Sequence, residues 1–148
     1  MVNGIMDFEF QDNCVEFLID KTLDPASKQV ITVKAPTGAG KTVMLIKYVD
    51  EYLKNTSGNT AFVWLCPGKG DLEQQSMDKM SELTPQRDTR NLLYSMLMGF
   101  EGGSVTFINW ELITNRKNNA LKESEKKNLF DCIDEAHSKG IKFFLIID

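Results

Sequence analysis

The sequence predicts an α/β fold, a mostly parallel sheet flanked by helices, as one domain over residues 1–148. Three observations carry that prediction. The β-branched run Val30-Ile31-Thr32-Val33 leads through a small-residue loop into a helical pattern from Lys41 to Lys54. A second apolar run, Ala61 to Cys66, leads through Pro67-Gly68-Lys69-Gly70 into another helical pattern. Near the end, a charged helical pattern precedes the apolar run Phe143 to Ile147. Short apolar runs alternating with helices favour parallel strands joined by crossover helices.

Bulk properties narrow the function. With 148 residues, 42% hydrophobic and 26% charged, the chain has ordinary globular composition and enough length for a core. The net charge of −4 offers no global basic field, so any nucleic-acid contact must be local. Cys14, Cys66 and Cys132 lie far apart and His137 is the only histidine, which argues against a zinc site. The cysteines read as buried small hydrophobes in a reducing compartment. The N-terminus carries Asp7 and Glu9 with no apolar run, so no secretory signal is expected. Phe143 to Ile147 is far too short to cross a membrane, and the cytoplasm is the expected location.

Taken in order, Val15, Phe17, Leu18 and Ile19 suit an amphipathic helix from about Glu9 to Thr22, broken at Asp24-Pro25-Ala26-Ser27. Gln11 suits a solvated first-turn residue; as a functional residue it resembles the glutamine upstream of the phosphate loop that reads the adenine edge in superfamily-two enzymes. An amide accepts from adenine N6 and donates to N7 at once, which a carboxylate cannot do. Val30 to Val33 is expected as the first strand, buried and parallel. Ala35-Pro36-Thr37-Gly38-Ala39-Gly40-Lys41-Thr42 then has the form of a phosphate-binding loop. Small residues let backbone N–H groups wrap a phosphate, and the helix N-terminus adds partial positive charge. Lys41 would reach the β- and γ-phosphates, and the Thr42 hydroxyl would hold magnesium. Val43, Leu45, Ile46, Val49 and Leu53 form the stripe of the following helix.

Ala61 to Cys66 is the second strand, and Pro67-Gly68 followed by Gln75 is a loop and helix at the sheet's carboxyl edge, where ligands bind. Leu92, Leu93, Met96 and Leu97 look helical; the chain's seven methionines read as gap-filling core. Val105 to Ile108 is a third strand ending in Asn109-Trp110, where Trp110 suits either core packing or the ligand edge. Leu121 through Ser138 is expected as one charged helix, closed by Gly140.

Asp134-Glu135-Ala136-His137 spells the magnesium-binding box of many helicases, but Leu129, Phe130, Ile133 and Ala136 around it are at helical spacing. That box needs an apolar strand directly before it. Asp148 meets the requirement, being carried by five apolar residues to the end of an expected buried strand; there it would help hold magnesium opposite Thr42.

Several phrases now converge. They are Lys34 to Thr42 with alanine at its first loop position, Phe62-Val63-Trp64-Leu65-Cys66-Pro67-Gly68 with Gln74-Gln75-Ser76, Phe107-Ile108-Asn109-Trp110, and Asn128-Leu129-Phe130 before Phe144 to Asp148. Together they resemble the Res subunit of type III restriction enzymes, a superfamily-two, DEAD/DEAH-like helicase ATPase. The resemblance implies a RecA-like P-loop NTPase domain that uses ATP and Mg2+. Gln11 would match the adenine-reading glutamine, Thr37, Gly38, Ala39, Gly40, Lys41 and Thr42 motif I, and Asp148 the first residue of motif II. Lys41 and Asp148 would be catalytic, and Thr42 and Asp148 the magnesium ligands. Pro67, Gly68 and Gln75, with Asn109 and Trp110, would touch DNA. A second RecA-like domain and a modification subunit are the implied partners. The end on Asp148 predicts a fragment cut inside its own motif, one that binds Mg-ATP without hydrolysing it.

The rivals are a P-loop nucleotide or metabolite kinase and a non-catalytic nucleotide-binding module. A kinase needs a lid with arginines, and Arg87, Arg90 and Arg116 are few and scattered. A GTPase would need an Asn-Lys-x-Asp guanine reader, which does not occur.

Overall fold

The computed structural model describes residues 9–27, 30–36, 38, 40–68, 71–111 and 128–148. The chain divides into two units, Met1–Thr56 and Ser57–Asp148.

In the first unit, helix α1 (Glu9–Leu23) packs on helix α2 (Lys41–Lys54). α1 buries Gln11, Val15 and Leu18, four and then three residues apart, which is one helical stripe. Phe17, expected on that stripe, is instead 51% exposed. The Thr22 hydroxyl donates to the Leu18 carbonyl at 2.7 Å, and the Ala26 N–H donates to the Asp24 carboxylate at 2.9 Å, forming the expected break. The expected first strand is absent: residues 30–36 carry no regular secondary structure, and Val30 is 82% exposed. A strand is defined by its neighbour's hydrogen bonds. The four strands of the sheet all lie in the second unit, so β-branched residues here give backbone without a ladder.

The second unit is built on an all-parallel sheet in the order β2-β3-β1-β4, formed by β1 (Thr60–Cys66), β2 (Asp88–Asn91), β3 (Ser104–Asn109) and β4 (Lys142–Ile147). Helices α3 (Leu72–Leu83), α4 (Leu92–Met98) and α5 (Leu129–Ser138) connect them, giving the predicted α/β class. β1 is central and buried along its whole length, as a strand covered on both faces must be. Its Ala61, Val63 and Leu65 join Ile108, Leu92, Phe100, Leu129 and Cys132 in one core. On the opposite pleat Trp64 stacks on Phe107 at 5.1 Å between ring centroids. The buried Ser95 and Thr106 hydroxyls share a 2.7 Å hydrogen bond that ties α4 to β3.

Three elements depart from expectation. β2 is a polar strand, Asp-Thr-Arg-Asn, held in place by its arginine. Arg90 donates to both Asp88 carboxylate oxygens, to Glu101 at 2.9 Å and to the Gly99 carbonyl at 3.1 Å, and lies over the Tyr94 ring. Of the one helix expected over Leu121–Ser138, residues 121–127 lie outside the described residues, and the described helix Leu129–Ser138 has its own start. Asn128 has extended backbone, accepts from the Asp131 N–H at 2.9 Å, and donates its own N–H to the Asp131 carboxylate at 3.1 Å. That reciprocal cap starts a helix. β4 is an edge strand, not a buried one: only Ile146 is buried, and Leu145 and Ile147 are exposed.

Candidate nucleotide-binding site

In the first unit the loop enters α2 through two glycines in left-handed backbone, Gly38 at φ 85° and Gly40 at φ 76°. Gly40 is the N-cap of α2 and accepts the first helical hydrogen bond, from the Met44 N–H at 2.9 Å. Among the described residues no side chain caps the helix, and no acidic residue lies in its first turn. The N–H groups there therefore face outward with the positive end of the helix dipole, which suits an anion. A Cβ at Gly38 would meet nothing within 4 Å, so the loop is open at that point. Lys41 is exposed and Thr42 half-buried at this end of the helix. Thr37 and Ala39 lie outside the described residues.

Gln11 is 3% exposed, which overturns its reading as a solvated first-turn residue. Its Nε2 lies 2.5 Å from where a Cβ on Gly40 would stand. Its Oε1 accepts from Lys47 Nζ at 3.5 Å, and Lys47 also pairs with Asp12 at 3.5 Å. Sequence reasoning missed Lys47, because a lysine on an amphipathic helix reads as solvated.

In the second unit the parallel register gathers the strand ends. Cys66 pairs with Asn109, Leu65 pairs with Ile147, and the Asp148 N–H donates to the Leu65 carbonyl at 3.1 Å. Asp148 is exposed at the end of β4. Pro67 and Gly68 leave β1, and Asn109 and Trp110 leave β3, so four of the five residues expected to touch DNA share one edge. Gln75 is exposed on the first turn of α3, where its N–H donates to the Asp71 carbonyl at 2.9 Å. Trp110 is exposed, which rules out its core-packing alternative.

The edge also holds carboxylates that sequence reasoning missed. Glu111 packs its side chain against Gly68, and the Glu111 N–H donates to the Asn109 side chain at 2.9 Å. Burial raises the Glu73 pKa, opposed by a hydrogen bond from the Asn109 backbone. Burial also pushes the Cys66 thiol up; Ser76 opposes it by hydrogen bonding, and the Asp148 and Glu73 carboxylates add to the rise. Among the described residues no group of three or more histidine, cysteine, aspartate or glutamate side chains could hold a metal ion. That leaves room for magnesium, which is bound through one or two protein groups, phosphates and water.

Asp134, Glu135, Ala136 and His137 lie inside α5, as their spacing predicts. Ala136 faces the core and Glu135 pairs with Lys139 along the helix flank at 3.6 Å. No helix among the described residues is long and apolar enough to cross a membrane.

The family model described as type III restriction enzyme, res subunit, matches residues 6–144. No curated protein and no solved structure matches the chain.

Proposed function

The chain belongs to the Res-subunit family of type III restriction enzymes, a family of helicase-like ATPases, and from that premise we propose that it binds ATP with magnesium at the loop running into α2. The observation that carries the proposal is the two left-handed glycines leading into a helix end that no side chain caps. Backbone N–H groups of the loop and first turn hold the phosphates, and Lys41 adds a cation at their outer end. Thr42 and Asp148 are the protein groups that would hold magnesium, which would supply charge neutralisation of the phosphates. Gln11 is assigned to ATP binding, and Thr37 and Ala39 to the loop's phosphate contacts.

In the full-length enzyme, Pro67, Gly68, Gln75, Asn109 and Trp110 contact DNA, and a second RecA-like domain and a modification subunit are its partners in the cytoplasm. The 148 residues by themselves bind ATP without appreciable turnover. A phosphoryl-transfer arginine is worth ~10³–10⁵ in rate. Arg90 is committed to Asp88 and Glu101 and cannot serve as one.

The deciding experiment is titration of Lys41→Ala with a fluorescent ATP analogue, alongside circular dichroism. Loss of a charged contact to phosphate is expected to weaken binding by roughly 10–100-fold with the fold intact. Unchanged affinity removes the nucleotide site.

A further inference from the structure

Lys47 sits in α2, six residues after Lys41, with its side chain only 15% exposed. Its Nζ meets Gln11 Oε1 and Asp12 Oδ1, each at 3.5 Å. A lysine ammonium has three donors and no acceptor. The end of the Gln11 amide that faces it is therefore the carbonyl oxygen. The NH2 group must then point the other way, and its nitrogen is the atom that lies over Gly40. A glutamine amide is nearly symmetrical in shape, so shape alone does not choose its orientation. The ammonium does.

We infer that Lys47 is a positioning residue for the phosphate loop: by holding the Gln11 carbonyl, it keeps a donor and not an acceptor turned toward Gly40. The sign matters because the proposed occupant of the loop is a polyanion. A carbonyl oxygen turned toward it would repel phosphate, whereas an NH2 donor is compatible with it or with the loop's own carbonyls. The inference rests on the ATP site proposed above and extends it to a residue outside the motif.

The test uses Lys47→Met, which keeps the stem and removes the ammonium, and Lys47→Arg, which is again donor-only. Each is titrated with the fluorescent ATP analogue in the wild-type and Gln11→Ala backgrounds. Lys47→Met is expected to weaken binding by roughly 3–10-fold, and Lys47→Arg by less than about 2-fold. In the Gln11→Ala background Lys47→Met is expected to have almost no further effect, since residues that act through one another are non-additive. Asp12→Asn, which removes the ion pair but leaves Lys47 on Gln11, is expected to leave affinity unchanged. In parallel, the Gln11 side-chain NH2 resonance of the nucleotide-free, nitrogen-15-labelled chain reads the amide directly. It should shift in Lys47→Met and hold in Lys47→Arg. Additive losses in the two backgrounds, or an unmoved resonance in Lys47→Met, overturn the inference. A wild-type chain with no affinity for the analogue overturns the ATP reading instead, and the resonance then still decides whether Lys47 holds the amide.

Discussion

Gly40→Ala separates two costs that the loop imposes on one residue. The first is backbone. Gly40 has φ 76° and ψ 41°, a left-handed conformation that an L side chain adopts at a cost of ~1–2 kcal/mol. The second is space. An added Cβ would stand 2.5 Å from Gln11 Nε2, whereas an ordinary contact lies near 3.5 Å, so the amide must retreat by ~1 Å. Gln11 is buried and its oxygen is held by Lys47, so the retreat strains or breaks a hydrogen bond to a charged partner, a further ~1–2 kcal/mol. Gly38 is the internal control. Its φ of 85° is equally left-handed, yet a Cβ there meets nothing within 4 Å. Gly38→Ala should therefore cost only the backbone part, and Gly40→Ala about twice as much. In a Gln11→Ala background the Gly40→Ala cost should fall to the Gly38→Ala level. Urea unfolding followed by far-UV circular dichroism, without nucleotide, measures all of these. Equal costs for the two glycines, or a Gly40→Ala cost that ignores Gln11, would refute the packing of the amide on the loop.

Three further outcomes are expected. Arg90→Ala leaves Asp88, Glu101 and the Gly99 carbonyl without their shared donor and should destabilise the sheet unit by about 2–4 kcal/mol in urea melts; no measurable cost would show β2 is held by something else. The Tyr48 phenol is pushed up to about 12, chiefly by burial, with Thr22 opposing by hydrogen bonding and Tyr52 adding to the rise. A raised phenol gives stability that is whole below its unfolded pKa of 10.0 and lost as pH rises toward about 12, so wild type should lose up to ~3 kcal/mol more than Tyr48→Phe across that window. Asp134→Ala with Glu135→Ala, on the flank of α5, should leave Mg-ATP affinity within about 2-fold, while Asp148→Ala should weaken it; the reverse order would return the magnesium role to α5.

What the sequence made legible follows from how each element is stabilised. β1 is buried on both faces, so an unbroken apolar run announces it. The helix at Asp134 to His137 was legible for the complementary reason: one buried face leaves apolar residues at helical spacing. β2 was invisible because its interior contact is a guanidinium between two carboxylates, which leaves no hydrophobic trace. Val30 to Val33 misled because β-branched composition records a preference for extended backbone, and a strand also needs a partner. The start of α5 was misplaced because helix-forming residues before Asn128 hid the cap, which only the Asn128–Asp131 pairing reveals.

The site divides along the same line. The left-handed turns at Gly38 and Gly40 were readable because their constraint is local: left-handed backbone wants glycine, and the helix end that follows is adjacent in sequence. The sheet edge was readable only in part, because it is assembled from distant strand ends. Pro67, Gly68, Asn109 and Trp110 were expected there as neutral groups. Folding adds Glu73, Glu111 and Asp148 to the same edge, and Glu111 lies against Gly68 itself. Those three carboxylates come from α3, from the end of β3 and from the end of β4, so no one stretch of sequence announces them.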